Sequence, residues 1–368
     1  MIQRKKRVFL TFLLASLFLT ACSAVGPGSV VRDRFDYNRA ISDSWKTQML
    51  NNLVGIRYGE APIFLDVVSV INQYELQTQA NLSASWQSPL RVPTGNNNNI
   101  NANTLGLGGS GSYTDRPTIT YSPLSGEQFA FGLMKPIVPT SILSLIQAGF
   151  PVDFIFRLSV QSINGVQNRY GGAARARTAD PEFYRLLEQW KQLQASGAIA
   201  LRVQKVNDEE SLVIIFRKNV PEETEAEGAE VKKMLGLNPQ KREFRVVYGA
   251  VALGDDEIAI LSRSVLEIMI DLASYIEVPE THIAEKRVAP TFKDGGPPGA
   301  PAAPLIRVHS SPKKPTDAYV SVPYQDYWFW IDNKDLPSKQ IFSSLMFVLT
   351  LAETGTKAGA PVVTIPTR

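Results

Sequence analysis

The chain has 368 residues, and its 38 Lys and Arg against 35 Asp and Glu give a formal net charge of +3. That length supports two or three apolar cores, while the near balance of charge excludes the concentrated positive footprint that nucleic-acid binding needs. A single cysteine excludes both an intrachain disulfide and a cysteine-built metal site.

The N-terminal stretch sets the compartment. Arg4, Lys5, Lys6 and Arg7 precede an uncharged apolar run over residues 8–19, too short for the roughly 20 residues of a spanning helix and matched to a cleaved export signal. The tetrad Leu19-Thr20-Ala21-Cys22 that follows resembles the lipobox of bacterial lipoproteins. The resemblance implies cleavage after Ala21, acylation of Cys22 and a lipid-carrying new N-terminus. Two or three acyl chains make such an attachment stable, because each buried methylene contributes about 0.8 kcal/mol. Ser23, where inner-membrane members carry an aspartate, implies the outer membrane on its periplasmic side. Loss of the four basic residues takes the net charge from +3 to −1.

Beyond the signal, residues 22–35 read as a lipidated tether, with Gly26, Pro27 and Gly28 and no periodicity. Ile41, Trp45, Met49 and Leu53 then recur every fourth position and predict a helix over 37–58. Residues 75–86 alternate strictly, with Leu76, Thr78, Ala80, Leu82, Ala84 and Trp86 on one face and polar residues on the other, which predicts a strand. The Asn- and Gly-rich stretch from Asn96 to Gly111 reads as the tip and returning strand of a long hairpin. Val152, Phe154, Phe156, Leu158 and Val160 alternate again and predict another strand.

Asp180 and Pro181 open a strong helix closed at Gly197. Strands over 199–203 and 212–216 flank a turn at 207–210. Glu222 to Glu230 reads as a solvated acidic loop before a short helix. Residues 244–253 and 257–261 read as a hairpin around Gly254-Asp255-Asp256, and Ser264 with Glu267 forms a capping box for the next helix. Residues 290–304, rich in Pro and Gly, form a linker. After it come strands over 319–324 and 327–331 and a helix over 337–351. This last strand, turn, strand, helix order matches that of 244–276, as a duplicated unit would.

The predicted fold is α+β, with antiparallel sheets, packed helices and two or three subdomains. Its regions are a signal over 1–21, the tether over 22–35, an N-terminal α+β region over 36–167, a middle α+β region over 168–289, the linker over 290–304 and a C-terminal ββα region over 305–368.

Motifs of known chemistry fail on context. The G-x-G-x-x-G match at Gly106–Gly111 leads into a segment that cannot open a helix. Ser310-Ser311-Pro312-Lys313 has the Ser-x-x-Lys spacing of penicillin-binding enzymes, but Pro312 and Pro315 break the helix that spacing requires. His282 and His309 are the only histidines, each read as a surface residue beside a prolyl loop. No catalytic or metal-binding residue and no cofactor is predicted. Trp328 and Trp330, on one face of a strand, are candidates for stacking on sugar rings. Arg169, Arg175 and Arg177, in one loop among small residues, are candidates for an anionic partner.

Arg32-Asp33-Arg34, Ser44-Trp45-Lys46, Arg57-Tyr58-Gly59 and the block over 319–331 together resemble poorly characterised Gram-negative envelope lipoproteins. The reading that results is a noncatalytic protein tied to the membrane at Cys22, acting as scaffold, assembly factor or complex subunit with a protein partner and no nucleic acid. The alternative is a glycan-directed enzyme or binding module that uses the C-terminal aromatics.

Overall fold

The computed structural model describes residues 27–71, 74–85, 104–172, 176–206, 209–291, 304–352 and 363–366. The fold is α+β. In chain order it runs α1 (Pro27–Arg57), β1 (Phe64–Ile71), β2 (Tyr74–Ser85), β3 (Thr104–Asp115), β4 (Thr118–Leu124), α2 (Glu127–Met134), α3 (Pro139–Gln147), α4 (Val152–Ser159), β5 (Val160–Ile163) and β6 (Val166–Gln167). There follow α5 (Pro181–Ala195), β7 (Ile199–Val206), β8 (Glu209–Phe216), α6 (Glu222–Met234), β9 (Glu243–Tyr248) and β10 (Glu257–Ser262). The chain continues through α7 (Val265–Ala273), α8 (Glu280–Ala284), β11 (His309–Ser311), β12 (Ala318–Tyr324), β13 (Tyr327–Asp332), α9 (Leu336–Ala352) and β14 (Val363–Pro366). Among the described residues no helix is long and apolar enough to cross a membrane.

Two compact units divide the chain. One is built from Met1–Arg39, Leu65–Pro123 and Gly359–Arg368, the other from Ala40–Phe64 and Leu124–Ala358. The smaller unit holds a sheet in the order β1-β4-β14 and a separate two-stranded sheet of β2 and β3.

The larger unit has two cores. In the first, a six-stranded sheet ordered β6-β5-β10-β9-β8-β7 packs on α3, α4, α5 and α6 through Ile142, Phe156, Phe183, Trp190, Phe244 and Ile260. In the second, the three-stranded sheet β11-β13-β12 packs on α1, α7 and α9 through Leu53, Met269, Phe329, Ile331, Phe342 and Leu345. The two-residue turn between β12 and β13 places Gln325 at φ 44° and Asp326 at φ 68°, which suits the right-handed twist of a hairpin but strains residues that carry a Cβ.

Several elements differ from expectation. Residues 152–159 form helix α4 and only Val160–Ile163 is strand, because Pro151 starts a helix with Asp153 in its first turn and Arg157 in its last. Val152, Ile155, Phe156 and Ser159 share its buried side at helical spacing. The glutamates of 222–230 lie in helix α6, where Glu222, Glu223 and Glu225 sit at the positive end and Lys232 and Lys233 at the negative one. β9 and β10 pair in parallel, Glu257 beside Arg245, since the connection over residues 249–256 is long enough to run back along a short strand. That pairing removes the likeness to β12 and β13, which are antiparallel. Helix α1 begins at Pro27, inside the expected tether, where exposed Val30, Val31 and Phe35 leave no stripe to read.

Candidate functional site

A buried polar cluster joins elements of both cores of the larger unit, α4 of the first and α7 of the second. The Ser264 side chain accepts from Glu267 N at 3.2 Å while Ser264 N donates to Glu267 Oε2 at 2.8 Å, so a complete capping box starts α7. This places Asp271 two turns along, 2% exposed. Its Oδ1 accepts from Arg169 Nη1 at 2.6 Å and from Gly171 N at 2.6 Å, and its Oδ2 accepts from Arg263 Nη1 at 3.0 Å. Arg263, between β10 and the capping serine, also donates to the Arg157 and Leu158 carbonyls at 3.2 and 3.3 Å, capping the C-terminal turn of α4, and to the Arg169 carbonyl. The Arg169 guanidinium lies 3.9 Å from the centre of the Tyr275 ring. Burial, reinforced by the nearby Asp271 charge, pushes the Tyr275 phenol up to about 12.

Gly171 is required where the loop meets α7, since a Cβ there would come 1.9 Å from Ser274 Oγ. Next to it opens a cleft of about 470 Å³ lined by Arg57, Gly172, Ile270, Ser274 and Thr291, a volume in the range of small-ligand sites. A second hollow of about 490 Å³ adjoins it across Arg57, Ala289 and Pro290, with Lys286 and Arg287 on its wall. Arg57 Nη2 donates to the Ala289 carbonyl at 2.6 Å, while its Nε is buried with no hydrogen-bond partner. Burial lowers the Arg57 pKa from its ordinary value, a shift the neighbouring Tyr58 opposes. Ser274 and Thr291 are occupied with protein partners, Ser274 Oγ with Arg169 and Asp271 and Thr291 Oγ1 with the Ile276 carbonyl. The cleft can therefore hold a small group against one guanidinium, and its hydroxyls are already engaged.

His282 is buried, 3% exposed, which corrects the surface placement expected from its prolyl neighbours. It shares a 2.7 Å hydrogen bond with the Tyr58 hydroxyl and packs edge-on against Tyr327. Burial pushes the Tyr58 phenol up to about 12, against the opposing charges of Arg57 and Arg287.

No family model, curated protein or solved structure matches this chain.

The residues singled out from sequence fall in different places. Trp328 and Trp330 are half-buried on the face of the three-stranded sheet opposite Phe329 and Ile331, which are fully buried. Lys314 Nζ lies 5.1 Å from the centre of the Trp328 ring, and His309 packs on Trp330 at 5.5 Å. Neither tryptophan lines the clefts above. Arg177 donates to the Asn168 carbonyl at 3.0 Å and to the Gln161 carbonyl at 3.3 Å, holding its own loop. Cys22 and Arg175 lie outside the described residues. Arg169, singled out from sequence for an anionic partner, is buried on Asp271 of the same chain, and sequence reasoning missed that Arg263 and Asp271 join it from about a hundred positions away.

Proposed function

We propose that this chain is a noncatalytic, lipid-anchored subunit of an assembly in the bacterial envelope, held at the outer membrane through Cys22 and facing the periplasm. The basic, apolar and lipobox residues over 4–22 support the anchor. The observation that carries the assembly role is strand β1, at the end of its sheet, with Leu65, Val68 and Ile71 between 44% and 52% exposed. An edge strand with large apolar side chains in water is a surface that pairs with something else.

The test is crosslinking in cells followed by copurification, with the native protein and with Cys22→Ala, alongside metabolic labelling with palmitate. The expected result is labelled native protein that recovers a defined set of envelope chains, its own copies included, and an unlabelled variant that loses them. An unlabelled native protein overturns the anchor, and recovery of no specific chain overturns the assembly role.

A second reading, glycan binding, draws on the half-exposed Trp328 and Trp330. It is weaker because Lys314 and His309 already lie over these rings. Quenching of tryptophan fluorescence by cell-wall glycan fragments, abolished by Trp330→Ala, would favour it.

A further inference from the structure

Among the described residues the pairing of β2 and β3 is the one two-stranded sheet. Its register pairs Leu76 with Tyr113, Ala80 with Gly109 and Leu82 with Leu107, and these positions share one face. The alternate pairs, Gln77 with Ser112, Gln79 with Ser110 and Asn81 with Gly108, share the other. Apart from Thr78 with Gly111, and Tyr74 with Asp115 at one end, the first face carries apolar positions or glycine and the second polar positions or glycine.

Charge is confined to one end. From Leu76↔Tyr113 to Ser85↔Thr104, ten consecutive registered pairs contain no Asp, Glu, Lys or Arg. Glu75 and Asp115 stand just beyond the first of them, in the company of Tyr74 and Tyr113. At about 3.4 Å per residue these ten pairs extend about 34 Å, or about 26 Å across a membrane at the ~40° tilt of barrel strands. The apolar band of an outer-membrane barrel is about 25 Å tall and bordered by aromatic residues.

The sheet also lacks neighbours. It contains β2 and β3 alone, so each strand has an outer edge with no strand beside it among the described residues. A hairpin by itself is marginal in water, and in lipid every unpaired backbone group costs several kcal/mol, which only closure into a barrel avoids. Two strands cannot close, and barrels of this kind have about eight or more, so about four or more hairpins are needed.

We infer that several copies of this chain each contribute the β2–β3 hairpin to one transmembrane β-barrel, with the Leu76, Ala80 and Leu82 face against lipid and the Gln77, Gln79 and Asn81 face lining an aqueous lumen. The inference rests on the proposed anchoring only in that Cys22 lipidation holds the copies on the membrane where the barrel forms. It names the occupants that an unpartnered hairpin requires: hydrocarbon on one face, and the same hairpin of another copy along each edge.

Because Cys22 is the only cysteine and is acylated on the proposed reading, single cysteines report cleanly. Each position from Thr78→Cys to Ser83→Cys is introduced into the full chain, and membranes are treated with a water-soluble maleimide. Positions 79, 81 and 83 are expected to react about tenfold faster than 78, 80 and 82, since a thiol pKa raised by about one unit in hydrocarbon already cuts the reactive thiolate tenfold. Unheated protein should migrate as an oligomer and give stepwise ion conductance in planar bilayers. Leu82→Arg should abolish conductance while leaving the larger unit folded by circular dichroism. Equal reactivity at all six positions, or a monomer without conductance, overturns the barrel even where palmitate labelling of Cys22 succeeds. Alternation that persists in lipid-free protein means that protein covers the face, and also overturns it. Alternation and conductance without palmitate labelling would keep the barrel and sink the anchor.

Discussion

Replacing Asp271 by Asn removes one charge and little volume, yet it strikes the point where three chain segments are joined. The carboxylate accepts from two arginines and the Gly171 amide, and Arg169, Arg263 and Asp271 are all 1–3% exposed. Neutralising Asp271 removes the carboxylate that both buried guanidinium groups share. An amide nitrogen also replaces one of the two accepting oxygens. Removing one partner of a buried ion pair costs about 3–5 kcal/mol, and at about 2–4 °C per kcal/mol for a domain of this size the melting temperature should fall by about 6–20 °C. Thermal and urea unfolding followed by far-ultraviolet circular dichroism measure this directly. Joint replacement of Arg169, Arg263 and Asp271 by Met or Leu should recover part of the loss, because no unpaired charge is then buried. A single Asp271→Asn variant within about 1 kcal/mol of the native protein, the scale of an exposed pair, would refute the reasoning.

Two further outcomes are accessible to the same measurements. Asp335 precedes α9 and accepts from Ser338 N at 3.1 Å, Ser338 Oγ at 2.8 Å and Arg307 Nη1 at 3.3 Å. Partial burial works against its ionised form, but these bonds prevail and hold its pKa below the usual carboxylate value. A depressed folded pKa gives stability that is fully present above the ordinary carboxylate pKa and lost as pH falls from there through the lowered folded one. Asp335→Ala should therefore cost about 1 kcal/mol at neutral pH, with the difference closing in strong acid; an equal difference at both pH values would contradict the cap. In the β12–β13 turn, Gln325→Asn combined with Asp326→Gly should stabilise by about 1 kcal/mol, because both positions have positive φ. A lower melting temperature for that pair would show that the turn residues serve another contact.

What the sequence reveals depends on whether the deciding interactions are local. The Ser264 and Glu267 box, the Pro181 start of α5, the β12–β13 hairpin and the strand β2 each depend on neighbours a few positions away, and each is found where the pattern places it, whereas the Asp180 carboxylate makes no cap and accepts from Gln167 N instead. The 152–160 segment misleads because Val152, Phe156 and Val160 satisfy a period of two and a spacing of four at once, and only Pro151 with the flanking charges breaks the tie. The β9–β10 connection reads as a turn because Gly254-Asp255-Asp256 has turn chemistry, although strand direction is decided by how far the chain travels before pairing. The candidate cleft was not legible, since Arg57, Gly171, Ser274 and Thr291 come from four separate segments. His282 looks like any histidine after a proline until Tyr58, more than two hundred positions earlier, closes over it.

The two cores of the larger unit also differ in when they can be completed as the chain is made. Every fully assembled part of the first lies between Ile142 and Ile260, whereas the second requires Met49 and Leu53 to meet Phe342 and Leu345. Until α9 has emerged, the apolar side of α1 lacks Phe342 and Leu345, and loop closure over so long a separation is slow. Among the described elements α1 is thus the first synthesised and among the last to be fully covered. A chain cut before α9 would therefore keep the first core complete and leave the second one open.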